Sequence, residues 1–218
     1  MTHSLTRTRI KFCGMMRETD VIEAADLGVD AIGFIFAHHS KRKLCSTRAR
    51  QLRACVPPLV TTIALFCNNS AESIQEAMQA AQPDILQFHG QEDAAFCAQF
   101  QMPYLKAIAM HTSANQHISK QLLEHRCASG FLFDSHHPGG NGGTGHVFDW
   151  DTIPQALQRP LFLAGGIHPD NVQNAITTVH PYAVDVCSGI EHSAGVKDSK
   201  KMSALVRNVR CADAAMHS

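Results

Sequence analysis

The chain has 218 residues, and its 19 Lys and Arg are balanced by 19 Asp and Glu, so the formal net charge is zero. A general nucleic-acid binder would be basic, so this balance argues against one, and the 44% hydrophobic content excludes a disordered chain. A folded chain of this length buries about 70% of its surface, which is ample for one core without disulfides or metal.

The distribution of apolar residues and cysteines predicts the compartment. No run approaches the roughly 18 apolar residues of a membrane span, and residues 1–11 are polar and basic, unlike a secretory signal. We therefore expect a cytoplasmic protein with no membrane or nucleic-acid partner, whose eight cysteines stay reduced. Because no two cysteines are spaced as C-x-x-C, the spacing predicts neither a zinc ribbon nor a redox pair.

Short apolar runs, each about the length of a buried strand, recur along the chain. There are eight, at 9–14, 31–36, 61–67, 85–89, 104–110, 130–134, 160–164 and 183–187. Amphipathic helix candidates separate them. Helix starts are indicated by an N-cap at Ser70 and by Asp170-Asn171-Val172, and a helix end by a Gly28 cap after Val21 to Leu27. The spacing of Ile118, Leu122 and His125 predicts another helix, and a last helix is expected from about Ser199 into Arg210. Residues 211–218 are expected to fray.

The alternation of strands and helices predicts a parallel sheet. Eight such units predict a closed (βα)₈ TIM barrel, as one domain over residues 1–218 with a core from about 9 to 210. A doubly wound open sheet is the alternative. In a TIM barrel the chemistry lies at the carboxyl ends of the strands, so the residues there are the candidate site.

The first strand ends in a cysteine. Side chains alternate along a strand, so the apolar Ile10 and Phe12 should face the helices, and Lys11 and Cys13 should point into the barrel. A nearby ammonium group favours a thiolate. This makes Cys13 a candidate reactive group, whereas the other seven cysteines are expected to serve as small packing residues.

Two carboxylates end apolar strands: Asp134 at the sixth and Asp185 in the eighth. A carboxylate is costly to bury without a partner. Each is therefore a candidate acid, base or ligand that holds a loop, and the residues alone do not separate these roles. His89, after the fourth strand, is expected to be structural or to contact substrate.

Glycines follow the last two strands. Gly165 and Gly166 end the seventh, and Ser188 and Gly189 follow the eighth. Backbone N–H groups in such loops bind anions, and TIM barrels often build a phosphate site from these two loops. The pattern predicts a phosphate site there, with plain tight turns as the alternative.

Two further motifs have weaker signals. Gly140-x-Gly142-x-x-Gly145 matches the dinucleotide fingerprint, but the acidic residue expected about 20 positions later is absent. We interpret this stretch as a mobile loop over the active site or a plain connection. The pairs His38-His39 and His136-His137 lack metal-binding spacing, so no metal or other cofactor is predicted.

The strand ends together resemble those of the phosphoribosylanthranilate isomerases of tryptophan biosynthesis, over about Arg9 to Leu205. The matching stretches are Lys11-Phe12-Cys13-Gly14, Gly33 to Phe36 with Ser40-Lys41-Arg42, Leu86 to Gly90, Phe133-Asp134-Ser135, Gly142 to Gly145 with Phe148-Asp149-Trp150, Ala164 to Ile167, and Asp185 to Glu191. Their order and spacing are specific, although no one stretch is decisive alone.

The resemblance implies a reaction, the Amadori rearrangement of N-(5-phosphoribosyl)anthranilate to the 1-deoxyribulose form. It implies Cys13 as general base and Asp134 as general acid. It also implies substrate-binding roles, for Arg42 on the anthranilate carboxylate, Asp185 in positioning, and Gly165, Gly166, Ser188 and Gly189 on the phosphate. The expected partner is a small phosphosugar, with the protein a monomer or weak homodimer.

The chain departs from the family pattern at three points, one of which is Met15-Met16 in place of the more usual Ile and Thr after Cys13. Ala37-His38-His39 replaces an aromatic residue and prolines before Arg42, and Cys187 stands where Ser is common. Three alternatives stay open on the sequence: the related histidine-pathway isomerase, which tends to have Asp where this chain has Cys13, a non-catalytic barrel that binds phosphorylated ligands, and a metal-dependent lyase.

Overall fold

Parallel strands close into a barrel in which each strand pairs with the next in sequence and the eighth pairs with the first. This computed structural model describes residues 7–110, 115–135, 148–154 and 157–216. The barrel strands are β1 (Arg9–Cys13), β2 (Ala31–Ile35), β3 (Thr61–Phe66), β4 (Ile85–Phe88), β5 (Tyr104–Ala109), β6 (Gly130–Asp134), β7 (Leu161–Leu163) and β8 (Ala183–Val186). The predicted TIM barrel is confirmed, and the open sheet is excluded.

Helices surround the barrel on its outside. They are α1 (Glu18–Asp26), α2 (Ser46–Ala54), α3 (Ala71–Ala81), α4 (Ala94–Ala98), α5 (Asn115–Glu124), α6 (Val172–Val179) and α7 (Ser199–Met216). Short 3₁₀ turns occupy Trp150–Thr152 and Ser188–Ile190. After β8 the chain also forms an antiparallel hairpin, β9 (Glu191–Ser193) and β10 (Val196–Lys197), which the sequence analysis did not predict.

The barrel core has two layers that follow from the alternation of side chains. Ile10 and Phe12 pack outward against the helices in the large outer cluster. Ala31, Ile63 and Leu105 fill the barrel interior with their neighbours. Cys13 points inward and packs nearer the carboxyl ends of the strands with Ile35 and Leu65. The predicted orientation of β1 is therefore confirmed.

Two predicted helix signals have the expected local geometry. The Ser70 hydroxyl accepts a hydrogen bond from the Ser73 amide at 3.3 Å, as an N-cap does. Gly28 follows α1 with a φ of +76°, a conformation that glycine adopts without strain.

The prediction that the tail frays from residue 211 is wrong. Helix α7 continues to Met216, and Ala212 and Asp213 are buried. The Asp213 carboxylate accepts a hydrogen bond from the Thr8 amide at 2.9 Å, which ties the tail to the chain just before β1. The composition of these residues did not reveal that their partner lies 205 positions away.

Candidate active site

The predicted site residues meet at one end of the barrel. Cys13 and Asp134 are the last residues of β1 and β6, and Asp185 is near the end of β8. Arg42 lies between β2 and α2, and the two glycine loops follow β7 and β8. Because all the barrel strands are parallel, these groups share the carboxyl-terminal mouth.

A buried ion pair joins the neighbouring strands β1 and β8 inside the barrel, below Cys13. Lys11 Nζ donates to Asp185 Oδ2 at 2.7 Å, and only 1% of Lys11 and 8% of Asp185 are exposed. Burial opposes the charge on Lys11, but the Asp185 carboxylate and Cys13 raise the pKa of Lys11 above its usual value. Asp185 Oδ1 is buried and makes no hydrogen bond to any described residue, so this oxygen is available to a ligand.

Cys187 packs against the small buried cluster that contains Cys13. Hydrogen bonding with the Cys187 thiol and burial raise the pKa of Cys13 well above the usual value, although Lys11 lowers it. The predicted effect of Lys11 is thus present, but the Cys187 thiol and burial outweigh it, and the nearby Asp185 carboxylate also raises the pKa of Cys13. At Cys187, the hydrogen bond from Cys13 and the positive charges of Lys197 and Arg42 lower the pKa to about 7, against the effect of burial. The positive charges beside the pair therefore favour ionisation of Cys187 over that of Cys13.

Arg42 belongs to a buried network of two cations and one carboxylate. Its Nε and Nη2 donate to the two oxygens of Glu191 at 2.7 and 2.6 Å. Lys197 Nζ donates to Glu191 Oε1 at 3.0 Å, and these two cations lower the pKa of Glu191 despite its burial. The network keeps one positive charge in excess, which favours an anion beside it. Since Glu191 occupies one edge of the guanidinium group, Arg42 would meet a ligand through Nη1.

Asp134 lies beside His89 at the mouth. Their Oδ2 and Nε2 atoms are 3.3 Å apart, and Asp134 is 6% exposed. The main chain of Asp134 is fixed as well, because its carbonyl accepts from the Met110 amide at 2.9 Å. Asp134 is thus held at the end of β6, with its carboxyl group against an imidazole.

The two glycine loops pack against each other. A side chain at Gly189 would collide with the Ile167 carbonyl, so only glycine allows this approach. Gly165 and Gly166 have φ angles of +80° and +68°, and their amides donate to no other described residue. Asn171 braces this loop by accepting from the His168 amide at 2.8 Å and donating to the Gly166 carbonyl at 2.9 Å.

Some predicted features are not brought into the site. His38 contacts Lys43 at 2.9 Å through Nδ1. Among the described residues, no group of three or more His, Cys, Asp or Glu is arranged to hold a metal ion. The Gly140 to Gly145 stretch and the pair His136-His137 lie outside the described residues.

Sequence reasoning missed Lys197 and the roles of Glu191 and Cys187. Lys197 Nζ donates to the carbonyls of Cys13 and Cys187 at 2.7 and 3.0 Å, in addition to Glu191. The only sequence signal was that Glu191 and Cys187 fall within the matched stretch after β8. Lys197 carried none, because the hairpin that brings it back to the mouth was not predicted.

Comparisons with known proteins decide the family. The sequence profile of N-(5′-phosphoribosyl)anthranilate isomerase matches residues 10–208. The chain belongs to the phosphoribosylanthranilate isomerase family. A relative of that name from Stenotrophomonas maltophilia is 51% identical over 213 residues, which cover 98% of each chain.

Solved structures of phosphoribosylanthranilate isomerases agree with this assignment. One, in complex with reduced 1-(o-carboxyphenylamino)-1-deoxyribulose 5-phosphate, is 30% identical with a TM-score of 0.78. Another, monomers generated from the dimeric Thermotoga maritima enzyme, is 29% identical with a TM-score of 0.78. Each comparison covers 94% of this chain and 99% of the other.

Membership of the phosphoribosylanthranilate isomerase family makes this protein an isomerase of tryptophan biosynthesis, as the resemblance implied. The histidine-pathway isomerase, the non-catalytic barrel and the metal-dependent lyase are therefore set aside. No helix in the described ranges combines the length and apolar character needed to cross a membrane.

Proposed function

We propose that this isomerase carries out the Amadori rearrangement of N-(5-phosphoribosyl)anthranilate to 1-(2-carboxyphenylamino)-1-deoxyribulose 5-phosphate with Cys13 as general base and Asp134 as general acid. The observation that carries this proposal is their placement at one mouth. β1 and β6 are three steps apart around the ring of eight strands. Cys13 and Asp134 therefore approach a ligand in the mouth from different sides.

The acid step opens the ribose ring. Asp134 gives a proton to the ring oxygen as the bond from that oxygen to C1′ breaks, and the anthranilate nitrogen forms a double bond to C1′. A carboxyl group is suited to this step when its surroundings keep it protonated. Asp134 is nearly buried, with His89 beside it as the group with which a proton can be exchanged.

The base step removes the proton from C2′ and gives the enolamine, which becomes the ketone as C1′ takes up a proton and the 2′-hydroxyl group loses one. Cys13 needs to hold the negative charge of the thiol pair at that moment. After Cys187 has lost its proton, transfer of the remaining Cys13 proton along their hydrogen bond leaves a thiolate on Cys13. Lys11 favours that thiolate from below. This arrangement gives Cys13 a route to ionisation in spite of its raised pKa.

Binding groups surround these two residues. The amides of Gly165 and Gly166, which donate to no other described residue, lie with Ser188 and Gly189 opposite and suit a phosphate group. The excess positive charge of the Arg42 network suits the anthranilate carboxylate, and Asp185 Oδ1 suits a ribose hydroxyl. The ligand in the related complex is a carboxyphenylamino sugar phosphate, which has all three kinds of group.

The assembly and compartment are part of the proposal. We propose a monomer or weak homodimer. The Thermotoga maritima relative is described as dimeric, with monomers generated from it. None of the eight cysteines, all of which lie in the described ranges, forms a disulfide, which suits the reducing cytoplasm. Sedimentation of the purified protein at several concentrations would test the oligomeric state.

Paired variants test the roles of acid and base. Cys13→Ser and Asp134→Asn should each lower kcat by about 10²–10⁴-fold, the usual contribution of a general base or acid. Affinity for the reduced product analogue should change far less. Cys45→Ser and Asp26→Asn make the same changes at exposed positions and should keep full activity. An unchanged kcat, or a loss confined to affinity, would contradict the assigned role. Failure of the wild-type gene to complement a tryptophan auxotroph lacking this isomerase would contradict the reaction itself.

A further inference from the structure

Beside Cys13, the proposed base, the site contains a second cysteine, Cys187, at the end of the neighbouring strand. Lys11 pairs with Asp185 and Phe12 with Val186 in the β1–β8 register, and Cys13 and Cys187 directly follow the last of these paired residues. Each stands two residues beyond a member of the inward-facing Lys11–Asp185 pair. Cys187 packs against the small buried cluster that contains Cys13, so the two cysteines lie together at the mouth.

The spacing of the two backbones suits a disulfide. Neighbouring strands lie about 4.7–4.9 Å apart, within the roughly 4.4–6.8 Å between Cα atoms that disulfides span. Lys197 fixes this spacing, because its ammonium group donates to the carbonyls of both Cys13 and Cys187. Oxidation would thus join two cysteines that already lie side by side, without opening the barrel.

The two thiols differ in access and charge. Cys187 is partly exposed at the mouth, whereas Cys13 is buried. Lys197 Nζ lies 3.9 Å from Cys187 Sγ, and the Arg42 network supplies the excess positive charge. A partly exposed thiolate in a positively charged setting is the kind of cysteine that reacts with peroxides, and a second thiol in contact with it can complete a disulfide.

We propose that Cys13 and Cys187 are a modification site at which a hydroperoxide oxidises the pair to a reversible disulfide, which switches the isomerase off. The Cys187 thiolate attacks the peroxide, the O–O bond breaks, and Cys187 becomes a sulfenic acid while hydroxide leaves. Cys13 sulfur then attacks Cys187 sulfur, the S–S bond forms, and the S–O bond breaks with loss of water. With hydrogen peroxide, two thiols are oxidised and two waters form. A dithiol reductant restores both thiols.

The disulfide itself follows from the proximity of the two cysteines. The loss of activity rests on the proposed role of Cys13 as base, because a disulfide-bonded sulfur cannot accept the C2′ proton. The two claims therefore need separate readouts.

The experiment treats the purified, reduced enzyme with hydrogen peroxide and then with dithiothreitol. Activity is measured at each stage, and cross-linked peptides are identified by mass spectrometry of a non-reduced digest. Wild type should form a Cys13–Cys187 cross-link, lose activity by about 10²–10⁴-fold, and recover with dithiothreitol. Cys187→Ser, referred to its own initial activity, should form no cross-link and show no recoverable loss. Cys45→Ser, which removes an exposed thiol, should behave as wild type does.

Three outcomes separate the claims. No Cys13–Cys187 cross-link in the peroxide-treated wild type would overturn the inference, even if Cys13→Ser shows Cys13 to be essential. The same reversible loss in Cys187→Ser would also overturn it. A cross-link in fully active enzyme would support the disulfide, overturn the switch, and contradict the role of Cys13 as base.

Discussion

Replacing Glu191 with Gln removes one buried negative charge and keeps the size of the side chain. Glu191 is 6% exposed and is the carboxylate that holds both Arg42 and Lys197. Breaking a buried pair by removing one partner costs about 3–5 kcal/mol, because a charge is left without compensation. Gln keeps one oxygen as an acceptor, so we expect about 3 kcal/mol for Glu191→Gln, at the lower end of that range.

This cost has a thermal and a kinetic signature. For a chain of this length, about 3 kcal/mol corresponds to a fall in Tm of about 6–12 °C. Because Arg42 loses the contact that orients its guanidinium group, KM should rise more than kcat falls. Scanning calorimetry and steady-state kinetics on the same preparation measure both effects.

The chain offers a matched control in the surface pair between Arg48 and Glu18, at 2.7 Å with both side chains partly exposed. Glu18→Gln makes the same chemical change there and should lower the free energy of unfolding by about 0–1 kcal/mol.

Measuring stability at acidic pH gives a second control. The pKa of Glu191 is lowered in the folded state, so its contribution is present at neutral pH and lost as pH falls through the folded-state value. The gap between wild type and Glu191→Gln should therefore narrow in acid. If Glu191→Gln and Glu18→Gln lowered the free energy of unfolding equally, the Arg42–Glu191–Lys197 network would not be a buried network whose charges depend on each other.

Three further predictions concern the thiol pair, the phosphate loop and the tail. The kcat/KM of the wild type should fall as pH decreases through about 7, because the pair then regains its proton at Cys187. Cys187→Ala should move this fall in kcat/KM to higher pH, because the buried Cys13 thiolate loses its hydrogen bond. Identical pH profiles for the two proteins would contradict a proton shared by the two thiols. Gly189→Ala should weaken inhibition by inorganic phosphate, because the added carbon meets the Ile167 carbonyl, and unchanged inhibition would place phosphate elsewhere. Deletion of residues 212–218 should lower the free energy of unfolding, measured by urea titration, by about 1–3 kcal/mol, because the Thr8 amide loses its partner. If the tail were frayed, the deletion would leave the free energy of unfolding unchanged.

Much of the fold could be read along the sequence because strand burial has a period of two residues. On β1, the apolar residues that alternate with Lys11 and Cys13 showed which face points inward. Eight apolar runs separated by helix signals predicted the barrel. The carboxyl ends of the strands then placed Cys13, Asp134 and Asp185 in one mouth. The hairpin of β9 and β10 was missed, since its strands are only three and two residues long and have no clear alternation.

The sequence by itself determined the fold, the family and the residues that face the mouth, because these depend on local pattern and on the order of motifs. Only the tertiary structure decided the ionisation of the residues at the mouth. Glu191 meets Arg42 across 149 residues, and Lys197 meets the Cys13 carbonyl across 184. A pKa depends on burial and on charges a few ångströms away, and neither can be read from the neighbours of a residue in the chain. The sequence indicated that Lys11 would favour a Cys13 thiolate, but in the folded site Lys11 is paired with Asp185, and the pKa of Cys13 is raised while that of Cys187 is lowered.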